Sequence, residues 1–246
     1  MAAPTSGAPM PRHGLARVLS KRGLCSRSEA ARWIAAGRVA VDGRVVLDPE
    51  WPVTGDDALI AIDGTATTMA DRRYIALNKP RGLVTTASDE RGRDTVYRCL
   101  EDPALPWLAP VGRLDRASEG LLLFCNDPEW AARLTDPSTG PDKTYHVQVD
   151  AIPTDPLLAV MEAGVDADGE RLRAKSARLL RTGSRNAWLE IVLDEGRNRQ
   201  IRRLLAALDI GVLRLVRVAI GDLALGDLPK GTWRDLTAGE VRRLSE

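Results

Sequence analysis

Two stretches of the chain gather residues that could react. In VGRLDRASEGLLLFCND, residues 111–127, one carboxylate, Asp115, stands between Arg113 and Arg116, just before the apolar run from Leu121 to Cys125. In EGRNRQIRRLL, residues 195–205, arginines recur at 197, 199, 202 and 203. A carboxylate kept ionised and oriented at the mouth of a buried strand can serve as a nucleophile or a base. Read as a helix, the second stretch puts Arg199 and Arg203 one turn apart and Arg202 three residues from Arg199. All three lie beside the apolar stripe of Ile201, Leu204, Leu205 and Leu208, so a guanidinium can point to the edge of the core, where it needs an anionic partner. Asp115 is a natural partner. A structural salt bridge would use the same residues, and spacing alone leaves both readings open.

Other chemistries lack their residues. The only histidines are His13, near the start of the chain, and His146, in an alternating stretch with no nucleophile motif beside it. No His, Cys and carboxylate spacing suggests zinc. No two glycines are spaced G-x-G, which removes the dinucleotide fingerprint. Gly226 and Gly231 have phosphate-loop spacing, but Thr232 stands where lysine is needed. An enzyme built from this sequence is expected to use no metal and no cofactor.

The residues that position these groups fall into two modules. A tail is expected over residues 1–13, where Pro, Ala, Ser and Gly dominate. Leu15, Val18 and Leu19 predict a short helix ending near Gly23. Ser26 and Glu29 form a capping-box pattern opening a second helix that stops at Gly37. RVAVDGRVV predicts a hairpin turning at Asp42-Gly43. This module is expected over 14–63, with a linker over 64–73 and a larger domain over 74–246. In the larger domain, YIALNKP, GLLLFCN, TYHVQVD and AWLEIVL read as strands and NRQIRRLLAALDIG as a helix, without regular βαβ alternation. The fold class is therefore α+β.

The 246 residues carry a net charge of only +1, but the charge is uneven. Residues 12–48 hold eight basic and three acidic side chains, residues 49–64 four acidic and no basic, and residues 196–217 six arginines and one aspartate. Two basic segments separated by acidic surface suit a polyanion; solvated helix faces are the plainer alternative. No apolar run is long enough for a membrane helix. Three scattered cysteines, Cys25, Cys99 and Cys125, read as free thiols in a reducing compartment, hence a cytoplasmic protein.

LNKPRGLVTT, GRLDRASEGLLLFCND, KTYHVQV, EGRNRQIRRLL and LGDLPKGTWRDLT, in this order, resemble the motifs of the RsuA family of ribosomal RNA pseudouridine synthases, a group with members for both ribosomal subunits. The likeness spans residues 74–240. LARVLSKRGLCSRSEAARWIAAGRVAVDGRVV resembles an S4 RNA-binding domain. The resemblance implies a mostly antiparallel mixed sheet with a central cleft. It also implies isomerisation of uridine to pseudouridine in ribosomal RNA without a cofactor. By position it makes Asp115 the catalytic aspartate, Tyr145 the active-site tyrosine that stacks on the base, and Arg202 the basic partner of the aspartate. Arg17, Lys21, Arg22, Arg27 and Arg32 on the S4-like helices, with Arg113, Arg116, Arg197 and Arg199, are the expected RNA contacts. RNA of the large subunit is the favoured target. RNA of the small subunit, or a non-catalytic role in ribosome assembly, is the alternative, and a monomer is expected. Whether the aspartate is nucleophile or base stays open. Ser118 and Cys125 stand where threonine is frequent in that group, and Leu204 where methionine is frequent.

Overall fold

The computed structural model describes residues 12–54 and 58–246. The chain divides into two units, residues 12–72 with 104–108, and 73–103 with 109–246. Residues 1–11 of the expected tail lie outside the described residues. Its last residues do not form a tail: Arg12–Gly14 is strand β1, with His13 opposite Val53 of a later strand.

In the first unit, α1 (Leu15–Lys21) and α2 (Arg27–Ala35) pack on β2 (Val39–Val41), β3 (Arg44–Val45), β4 (Pro52–Thr54) and β5 (Ile60–Ile62). Their shared core contains Leu15, Leu19, Ala30, Ile34, Val39 and Ile60. Asp42 and Gly43 both take positive φ, 49° and 80°, the conformation that a two-residue hairpin demands. Only half of the predicted capping box forms: the Glu29 amide donates to Ser26 Oγ at 3.0 Å, while the Glu29 carboxylate turns to Arg32. The expected linker over 64–73 also changes. Asp63 and Gly64 repeat the left-handed pair, with φ of 50° and 79°, and turn the chain into β6 (Thr65–Ala66), which pairs with β5. The first unit therefore runs on to Arg72.

Arg22, expected to meet RNA, is buried at 8% exposure, and its Nη2 donates to Ala58 O at 2.9 Å. The reason is positional. Residue 22 continues the stripe of Leu15, Val18 and Leu19 at the i+7, i+4 and i+3 spacings and so falls on the inner face. Arg17, Arg27 and Arg32 are exposed and Lys21 is half-exposed.

The second unit contains, in chain order, β7 (Tyr74–Lys79), β8 (Ala109–Val111), β9 (Glu119–Cys125), α3 (Pro128–Thr135), β10 (Lys143–Val149), α4 (Asp155–Ala163), β11 (Val165–Ala167), β12 (Glu170–Leu172), β13 (Ser176–Thr182), β14 (Ala187–Leu193), α5 (Gln200–Ala206), β15 (Val212–Ile220), β16 (Leu223–Ala224), β17 (Trp233–Asp235) and α6 (Ala238–Arg243). One sheet runs β13-β14-β10-β15-β9-β7-β17, with β8 added to β9 and β16 to β15. Its pairs are antiparallel except β15 with β9. Alternation along β10 and β14 turns Val147, Val149, Leu189 and Ile191 inward, where Met161 of α4 and Ile201, Leu204 and Leu205 of α5 cover them. Trp130 and Leu134 of α3 cover Leu121 and Leu123. This is the α+β architecture that the sequence predicts.

The parallel joint is narrow. Arg217 lies opposite Gly120, which has a φ of +101°. A Cβ on residue 120 would lie 2.2 Å from the Arg217 carbonyl oxygen. Gly120→Ala is therefore expected to cost about 3 kcal/mol or more, from the left-handed backbone together with the forced separation of two central strands. Calorimetric melting checks this; a variant as stable as the parent would show that the joint opens freely.

Candidate active site

A cavity of about 520 Å³ opens over the inner face of the large sheet. Lys143 and Tyr145 of β10, Leu193 of β14, and Leu215, Arg217 and Ile220 of β15 form its floor. Tyr145 sits in register between Ile191 and Arg217, half-buried, and packs against the α4–α5 core. The rim comes from two loops, one carrying Asp115 and the other leading from Glu195 into α5. A second cavity of about 610 Å³ shares Arg113, Leu114, Asp115 and Arg199 with the first and extends over residues 84–93 and Arg116. Asp115 stands where the two meet.

The loop that carries Asp115 is held through its main chain. Each carbonyl from Leu114 to Ser118 accepts a hydrogen bond. Thr85 Oγ1 donates to Leu114 O at 2.7 Å and Gly82 N to Arg116 O at 2.8 Å. Arg202 Nη2 donates to Ala117 O at 3.2 Å. Lys79 Nζ reaches Asp115 O at 3.2 Å and Ser118 O at 2.8 Å, and also Pro80 O at 3.1 Å. The Ser118 amide closes the turn onto Asp115 O at 3.0 Å. The carboxylate is left one-third exposed and free to meet a ligand. Lys79 itself is completely buried, and that burial pushes its ammonium down to about 8 against the pull of Asp115.

The arginines are arranged differently from the expectation. The guanidinium paired with Asp115 is that of Arg199, Nη1 to Oδ2 at 3.6 Å, and not that of Arg202. The helix starts at Gln200, two residues into the segment that the sequence predicts as helical. Arg199 caps it in a left-handed conformation with φ 48°, which swings its side chain out towards the Asp115 loop. Arg202, one turn inside the helix, binds the same loop by a carbonyl. Burial, and then the neighbouring Arg199, lower its affinity for a proton, and Asp115 opposes them. Arg203 turns away to Asp168 and Glu170, and Arg197 to Glu195 and Arg171 O. Arg113 and Arg116 are exposed; both line the second cavity, and Arg116 Nε also donates to Gly82 O at 3.2 Å.

Sequence reasoning missed Lys79, Thr85, Lys143 and Arg217. The first two lie inside the LNKPRGLVTT stretch, where a lysine at the end of an apolar strand is the available signal. Arg217 offers none, since arginine is rarely buried. Lys143 is half-buried, and burial and Arg217 lower its affinity for a proton.

This geometry is a cleft roomy enough for a nucleotide, with an oriented carboxylate at its mouth, a ring in its floor and a basic approach. Residues 73–207 match the model of the RNA pseudouridylate synthases, and residues 14–59 match the S4 domain. The chain is 36% identical over 233 residues to the ribosomal large subunit pseudouridine synthase B of Bacillus subtilis, with 94% of each chain covered. It is 37% identical over 223 residues to an RNA pseudouridine synthase of Rickettsia bellii, with 91% of this chain and 96% of the relative covered. A crystal structure of a pseudouridylate synthase superposes with a TM-score of 0.66 at 30% identity, covering 94% of this chain and 99% of the other. With its candidate cleft and these matches in agreement, the chain belongs to the RNA pseudouridylate synthase family and carries an S4 domain ahead of its catalytic domain.

Proposed function

We propose that this protein isomerises uridine to pseudouridine in large-subunit ribosomal RNA and works as a monomer in the cytoplasm, with Asp115 as the reacting residue. The observation that carries the reading is the position of Asp115: on a loop fixed through five carbonyls that each accept a hydrogen bond, where a cavity roomy enough for a nucleotide meets a basic, open one. The large-subunit target rests on the Bacillus subtilis relative, a ribosomal large subunit pseudouridine synthase, which aligns over 94% of both chains.

A paired base cannot reach the floor of such a cavity, so the uridine is flipped out of its strand. Its ring stacks on Tyr145. The bond between N1 and C1′ breaks and its electron pair stays on the base. Asp115 either bonds to C1′ or removes the C2′ proton; both suit a carboxylate at the sugar. The base turns and C5 bonds to C1′ as the Asp115–C1′ bond breaks or as the C2′ proton returns; the C5 proton leaves and N1 ends protonated, so the product is an isomer of the substrate. Arg199 holds the carboxylate ionised from outside. Arg202 fixes its loop from within. Arg113, Arg116 and Arg197, with Arg17, Lys21, Arg27 and Arg32 of the S4 domain, meet phosphates; such contacts place the strand but do not choose the uridine.

Carbodiimide mapping of ribosomal RNA from cells lacking this protein tests the reading. One or more pseudouridines of the large-subunit RNA disappear and return when the gene is restored. Loss only from the small-subunit RNA would move the target, and an unchanged map would leave a binding role in ribosome assembly.

A further inference from the structure

Among the described residues, two buried side-chain polar atoms lack a hydrogen-bond partner, Arg202 Nε and Arg217 Nη2. Both residues line the cavity beside Asp115. A buried donor left unpaired is costly, and buried polar groups are nearly always satisfied. Two such donors at one cavity mark where the acceptors of a ligand belong.

Arg217 is the more unusual of the two. Only 5% of it is exposed, and it forms no ion pair among the described residues. Its Nε donates to Leu121 O at 2.7 Å, which fixes the plane of the guanidinium. It stands on the cavity face of β15, opposite Tyr145 in register and between Leu215 and Ile220. This is the floor. A flipped nucleotide enters base first, and its phosphates stay with the strand near Arg113, Arg116 and Arg199, all exposed. What reaches the floor is the edge of the base.

Breaking the bond between N1 and C1′ leaves the pair of electrons on the uracil, as an anion whose charge spreads to O2 and O4. Leucines and two isoleucines, Ile201 and Ile220, line the cavity, so a fixed cation acts there far more strongly than in water. We propose that Arg217 is a further catalytic residue: its guanidinium donates to a carbonyl oxygen of the flipped uracil and stabilises the base anion while it is detached from the sugar. Recombination at C5 discharges the anion, and the C5 proton and the proton gained at N1 balance. The proposal rests on the isomerase reading above.

The test uses the full chain and ribosomal RNA isolated from cells that lack it, grown on uridine tritiated at C5. Bond formation at C5 releases that tritium. Under single-turnover conditions Arg217→Met is expected to slow release by about 100-fold, the usual effect of losing one preorganised donor to a developing anion. Its dissociation constant for the RNA stays within about threefold of the parent. Arg217→Gln, which can keep the bond to Leu121 O without the charge, is expected to slow release at least tenfold, and decides the matter if the methionine variant does not fold. A parental rate in a folded variant overturns the proposal, as does a loss carried wholly by weaker RNA binding. No release by the parent protein would instead overturn the isomerase reading.

Discussion

Asp115→Asn abolishes pseudouridine formation, with a loss of at least about 10⁴-fold in tritium release or carbodiimide-detected product. The amide has the shape of the carboxylate but neither its nucleophilicity nor its basicity. The fold has little reason to notice. The side chain makes one ion pair, at 3.6 Å to a half-exposed Arg199, and the loop is held by main-chain oxygens that asparagine retains. Melting stability is therefore expected within about 0.5 kcal/mol of the parent. Removing a negative charge from among Arg113, Arg116 and Arg199 leaves RNA affinity equal or tighter. A variant that still converts its target at the parental rate would remove Asp115 from the chemistry.

The second large effect is at Lys79. Lys79→Met leaves the carbonyls of Pro80, Asp115 and Ser118 without their shared donor. A stability loss of about 3 kcal/mol is expected, with a fall of about 100-fold in turnover as the Asp115 loop loosens. The parent enzyme is expected to depend on pH through the same group. Folding lowers the Lys79 ammonium to about 8. A neutral amine has two N–H bonds for three carbonyls, so turnover falls as the pH rises through about 8. Stability from this group runs the other way. Between about 8 and the ordinary lysine value of about 10.4, the unfolded chain binds more protons than the folded one, so this contribution to unfolding free energy increases with pH. A pH–rate profile and urea melts across this window check both signs. Turnover that stays flat to about pH 9.5 would show that the ammonium is not what holds the loop.

Much of the fold is readable from side-chain periodicity. The Asp42-Gly43 turn, the buried β9 run, the alternation along β10 and the stripe of α5 all announce themselves. The same Asp-Gly signal at Asp63-Gly64 is masked by the acidic residues before it, which read as surface. Strands β11 to β13 escape notice, since their apolar residues are interrupted by charges that project outward, and α4 does because its continuous run from Leu157 to Met161 shows no helical period. At the site, Asp115 and Tyr145 are legible from motif and phase. The choice between Arg199 and Arg202 is not, because periodicity cannot reveal that α5 begins at Gln200 with a left-handed residue before it. Arg22, Lys79 and Arg217 share another obstacle. Each is a long cation drawn inside by a carbonyl, and type alone assigns such residues to the surface.

The way the Asp115 loop is fastened divides its residues by freedom to vary. Thr85, Lys79, Gly82 and Arg202 grip oxygens that every amino acid possesses, so they are indifferent to which side chains the loop displays. Arg113, proposed above as an RNA contact, can be exchanged without moving the carboxylate, whereas the Arg116 side chain also fastens the loop through Nε to Gly82 O. One scaffold can thus be readdressed to a new RNA shape by small surface changes while its reaction stays the same, and directed evolution of target choice would best begin at Arg113.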